Sequence, residues 1–130
     1  MTLKFVNPPA VAPPAAGYRH LAIVPSGRRL LVLAGQFGNR LDGSVVEDLE
    51  GQFEQSLANI LGIVASEGGI AADIARITCF LVERPTDGAR IGAAMKKTFP
   101  DGPPAMSWIY VAGLFRPEAK VEIEAIAAVV

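Results

Sequence analysis

The apolar positions of this chain follow two repeats, one of two residues and one of three to four. The strand repeat is plainest at the end. Within residues 120–130, Val121, Ile123, Ala125, Ala127 and Val129 share one face, and Glu122 and Glu124 share the other. The helical repeat runs through residues 44–67, where Val46, Leu49, Phe53, Leu57, Ile60, Leu61 and Val64 form a single stripe. Ser44 and Glu47 stand at the spacing of a capping box, and Gly68-Gly69 closes the run.

Taken in order, the pattern predicts a short strand at 3–6 and then a Pro/Ala-rich arm over 7–17, which no helix interior or central strand accommodates. Strands at 18–24 and 29–34 flank the turn chemistry of Pro25-Ser26-Gly27 and read as a hairpin. Gly35 and Gln36 follow as a turn beside a place where the backbone approaches something closely. After the long helix come a continuous apolar strand at 74–82 and a second helix. That helix is capped by Thr86 and carries Ile91, Met95 and Phe99 inward. A strand at 105–111, a loop at 113–119 and the terminal strand complete a β-β-β-α-β-α-β-β order. This is an α+β sandwich in one domain, 1–130: a mixed β-sheet with two helices on one face.

Composition adds an expectation of assembly. Of the 130 residues, 51% are hydrophobic and only 19% charged. That is below the usual share of about a quarter, and one small domain cannot hide so much apolar surface, so a homo-oligomer is expected. The net charge of −1 with interspersed signs gives no basic stripe, which argues against nucleic acid as a partner. The single cysteine, Cys79, lies in an apolar run and reads as core. With one cysteine and one histidine, His20, there is no standard zinc site, and neither a metal nor a cofactor is expected. No apolar run spans a bilayer and prolines interrupt the N-terminal stretch, so no membrane is expected and a cytoplasmic setting is.

Several segments carry a further likeness: Gly17-Tyr18; Ala34-Gly35-Gln36; Gln55-Ser56-Leu57-Ala58-Asn59-Ile60; Ile77-Thr78-Cys79-Phe80-Leu81; Phe99; Pro104-Ala105; and Val121-Glu122-Ile123-Glu124-Ala125-Ile126-Ala127. In this order and spacing they resemble the RidA/YjgF family, the reactive intermediate deaminases. The resemblance implies a chorismate-mutase-like fold and a homotrimer with three clefts between subunits. It implies that a small-molecule ligand sits there, with Glu122 holding or activating water, Tyr18 lining the cleft and Gly35 offering a backbone contact. It fails at two positions. Met106 stands where members that hydrolyse 2-imino acids carry an arginine that clamps the substrate carboxylate, and Gly92 replaces a common asparagine.

Methionine has no charge and no donor, so the lost bidentate contact should cost several kcal/mol of carboxylate recognition. The expected function is hydrolysis of an imine or enamine that is not a typical 2-imino acid. The alternatives are a non-catalytic ligand-binding or chaperone-like protein and, more remotely, an endoribonuclease or translation inhibitor. Glu122 is the candidate catalytic residue. Tyr18, Gly35, Gln36, Met106 and Trp108 are the candidate substrate-binding residues. The bland reading of each is also physical: a strand carboxylate paired with Lys120, a turn, and ordinary core or interface side chains.

Overall fold

The computed structural model describes residues 2–130. Its elements are β1 (Lys4–Val6), β2 (Leu21–Ile23), β3 (Arg29–Phe37), α1 (Leu49–Ser66), β4 (Ile74–Leu81), α2 (Gly88–Thr98), β5 (Ala105–Tyr110) and β6 (Val121–Val129). The order is the expected one, with a single 3-10 turn added at Ala71–Asp73. Four strands form a mixed sheet in the order β3-β6-β4-β5, antiparallel except for the parallel β4–β5 pair. Both helices cover one face. Phe53, Leu57, Ile60 and Val64 of α1 pack with Ile91 of α2 onto Ile77, Cys79, Leu81, Val121, Ile123 and Ala125 of the sheet.

The hairpin read between residues 18–24 and 29–34 does not form. β2 pairs with β1 in a separate two-stranded ribbon, and β3 pairs with β6. The ribbon is not idle: Leu3, Phe5 and Ala22 close over Ala75 and Ala128, covering one end of the face opposite the helices. The rest of that face carries apolar residues in the open. Leu30 is 62% exposed and Val32 74%, with Ile126 beside Val32 on β6 and Ile109 exposed at the far edge on β5.

Two helix starts move. Ser44 donates its amide and hydroxyl to Asp42 Oδ1 at 2.9 and 2.6 Å, and its carbonyl accepts from the Arg40 amide. Local bonds of this kind compete with capping, and α1 begins later, where the Asp48 side chain accepts from the Gly51 amide. Thr86 gives its amide and hydroxyl to Glu50 Oε1, so Asp87 caps α2 instead.

Gly38 is where α1 crosses the end of β3. A Cβ there would lie 2.6 Å from Gln52 Cβ and 2.7 Å from its carbonyl oxygen. Backbone cannot yield as a side-chain tip does, so Gly38→Ala should destabilise the fold by about 1–3 kcal/mol or more, read as a lowered midpoint in urea. An unchanged midpoint would mean that α1 can shift freely against β3.

Candidate functional site

β3 continues through Gly35 and Gln36 to Phe37, so these residues are strand and not turn. The register slips between Leu33 and Gln36, which pair with Ala125 and Ile123. One extra residue on β3 makes a bulge, a device that re-aims side chains. Beyond it, Phe37 pairs with Glu122, and on the other side of β6 Phe80 of β4 pairs with Glu122 as well. Paired residues share a face, so the carboxylate sits between two phenylalanines on the face opposite the helices. Gly35 meets it directly. A Cβ at Gly35 would lie 2.5 Å from Glu122 Oε2 and 2.6 Å from Cδ. The missing side chain is therefore the space the carboxylate occupies.

Two side chains of α1, the buried Gln52 and the half-buried Asn59, hold the strands that carry this pair. Gln52 accepts the Lys120 amide at 2.7 Å and donates to the Glu118 carbonyl at 3.1 Å, fixing the entry to β6. Asn59 donates to the carbonyls of Phe37 and Asn39 at 3.1 and 2.9 Å, fixing the exit of β3.

Lys120 pairs with Glu83 at 3.2 Å, not with Glu122. Among the described residues, the Glu122 side chain makes no hydrogen bond and no ion pair. Burial raises its carboxyl above the ordinary value, and the charge of Glu124 adds to the rise. The sign of the stability effect follows. Ionised Glu122 costs stability above its folded pKa, and the cost fades as pH falls through that value toward the ordinary 4.5. Glu122→Gln should therefore melt higher than the wild type at pH 7, with the two converging in acid. A difference that stays constant with pH would assign the effect to packing and not to charge.

Met106 and Trp108 lie elsewhere. They pair with Ile77 and Cys79, on the helix side of the sheet at its β5 edge. The Trp108 ring packs on Phe53 at 5.6 Å. Two adjoining hollows open here. One, of about 710 Å³, is lined by Tyr18, Met106 and Trp108. The other, of about 420 Å³, is lined by Met106, Trp108 and Gly92, so the two positions where the resemblance breaks meet in one cavity. The chain thus brings Gly35 to Glu122, and Tyr18 to Met106 and Trp108, but it does not bring the two groups together. Gln36 resumes the pairing just after the bulge, and its side chain donates to the Ala34 carbonyl.

The other polar candidates are engaged. Arg19 donates to the carbonyls of Pro103 and Gly102 and lies over the Phe5 ring. Arg116 pairs with Glu118. His20 contacts the Ala12 carbonyl at 2.8 Å. Burial pushes the Cys79 thiol up to about 12, which removes it as a nucleophile. Phe37 and Phe80, the walls beside Glu122, escaped sequence reasoning. The strand period puts Phe80 in line with Arg76 and Thr78, but only the register sets it against Glu122. Among the described residues no cluster of His, Cys, Asp and Glu could hold a metal ion, and no helix is long and apolar enough to cross a membrane.

These features define a small α+β protein with a partly desolvated carboxyl on one sheet face and ligand-sized hollows at a sheet edge. The family profile described as Endoribonuclease L-PSP matches residues 9–129. The chain belongs to that family, the RidA/YjgF family. It is 39% identical over 88 residues to a 2-iminobutanoate/2-iminopropanoate deaminase of Salmonella typhimurium, covering 65% of this chain and 67% of that one. It is 35% identical over 119 residues to a RutC family protein of Haemophilus influenzae, covering 88% and 89%. Among solved structures it resembles YyfB of Yersinia pestis, a conserved Rid-family protein of unknown function. The TM-score is 0.87 at 33% identity, over 99% of this chain and all of that one.

Proposed function

We propose that this protein is a homotrimeric, RidA-like domain that binds a small metabolite between subunits and hydrolyses an imine or enamine with Glu122 as general base and acid. The observation that carries the reading is the Glu122 carboxyl. It is raised by burial, set against Gly35, and has no partner of its own among the described residues. A carboxyl in that state is suited to proton transfer near neutral pH. Water adds to the C=N carbon while Glu122 takes its proton. That proton passes to nitrogen, giving a carbinolamine; Glu122 then takes the hydroxyl proton and delivers it to nitrogen as the C–N bond breaks, leaving a carbonyl compound and ammonia. Cofactors have no part in this reaction.

Assembly is supported by the exposed Leu30, Val32 and Ile126 on the sheet face opposite the helices. It also accounts for a site split within one chain, since a second copy can supply Tyr18, Met106 and Trp108 to the first copy's Glu122. The test is ammonia release from a panel of freshly generated imines, with the mass in solution measured alongside. Rates above the spontaneous ones and a trimeric mass are expected. A monomer, or no acceleration for any imine, would overturn the reading. One observation favours a second reading, a ligand binder without catalysis: Met106 offers no donor to a substrate. Ligands that raise the melting temperature without being hydrolysed would support it.

A further inference from the structure

The cavity of about 420 Å³ lies between α2, the segment that follows it, and β5. Its size falls within the range of small-molecule sites. Met95, Phe99, Met106 and Trp108 give it apolar walls, and Lys96 is its one charged lining residue. Lys96 is exposed and has no carboxylate partner among the described residues. The backbone offers little more. The Gly102 and Pro103 carbonyls at its wall already accept from Arg19. The cavity also has a missing wall. A Cβ at Gly92 would meet nothing within 4 Å, so α2 leaves open space over the Trp108 side. Phe53 packs against Trp108 and holds the indole in place before any ligand arrives.

We propose that this cavity binds an apolar, ring-bearing carbonyl compound or the corresponding imine, with the ring packed between Trp108 and Gly92. The choice of carbonyl and imine chemistry rests on the function proposed above; the choice of a ring rests on the cavity alone. A small keto acid fits poorly, because the exposed Lys96 is the only charged donor in the lining and Met106 offers no second one for a bidentate contact with its carboxylate. An anionic group on the ligand would be met by the exposed Lys96.

Trp108 is the only tryptophan in the chain, so its emission reports occupancy directly. The experiment titrates the whole protein with 4-phenyl-2-butanone, which has a ring and no carboxylate, and with 2-oxobutanoate, which has a carboxylate and no ring. A saturable change is expected with the first and none with the second at tenfold higher concentration. Gly92→Leu should fill the space and weaken 4-phenyl-2-butanone by about tenfold or more. Its melting temperature should hold or rise, since a helix-interior glycine is being replaced. Met106→Arg, a second variant, should likewise weaken the ring compound. No saturable change in the wild type, unchanged affinity in folded Gly92→Leu, or equal binding of 2-oxobutanoate would each overturn the proposal. Ring binding and imine hydrolysis are read separately, the first by Trp108 emission and the second by ammonia release. A protein that binds the ring but hydrolyses nothing would therefore sink the catalytic reading alone, and one that hydrolyses imines but ignores the ring would sink only this one.

Discussion

Glu122→Gln should lower imine hydrolysis by about 10²–10⁴-fold, the usual contribution of a positioned acid–base group. Glutamine keeps the volume and the apolar neighbours Phe37 and Phe80, and removes only the proton carrier. Because the Glu122 side chain makes no hydrogen bond or ion pair with the described residues, the change breaks no polar contact that holds the fold. The loss should therefore appear in kcat with the melting temperature preserved or raised. Ammonia release measured on the purified variant checks this. Rates equal to the wild type would take Glu122 out of the chemistry and leave the protein as a ligand binder.

The second large effect is expected at Gly35, which touches no substrate atom by side chain because it has none. In Gly35→Ala the new Cβ would fall 2.5 Å from Glu122 Oε2 and 2.8 Å from its Cγ, well inside contact distance. The atoms that must yield belong to the end of a flexible side chain, so the fold loses little. The carboxylate must swing away. A displacement on the order of 1 Å at a reacting group can cost about 10²-fold in rate. Gly35→Ala should thus show that loss with nearly wild-type stability, the reverse of Gly38→Ala, where the obstacle is the backbone of Gln52. A fully active Gly35→Ala would mean that Glu122 works from another rotamer or not at all.

The two glycines, three residues apart in one strand and strand end, were indistinguishable as letters. Both mark close approach. Which one faces a carboxylate and which one faces a helix depends on the bulge after Leu33, and a bulge is a mismatch between two strands, absent from either strand alone. The same holds for the Met106–Gly92 cavity. Each departure from the family pattern was visible by itself, and their meeting at one hollow required α2 to be laid against the β5 edge.

The sequence alone determined what is periodic. The stripe through Phe53, Leu57, Ile60 and Val64 and the alternation of Val121, Ile123 and Ala125 with Glu122 and Glu124 set the element types, their order and their buried faces, because burial acts on each segment separately. Tertiary structure alone decided which strands pair. β3 pairs with β6 as an edge strand, while β2 pairs with β1 and is drawn over the sheet face, where Ala22 packs on Ala75 and Ala128, so β2 does not add to the free edge of β3. It also decided the caps. Asp42 and Glu50 drew Ser44 and Thr86 into local and cross-helix bonds and left Asp48 and Asp87 to start the helices. Periodicity is a property of one segment, whereas register and hydrogen-bond competition are properties of two, and the candidate site is built from the second kind.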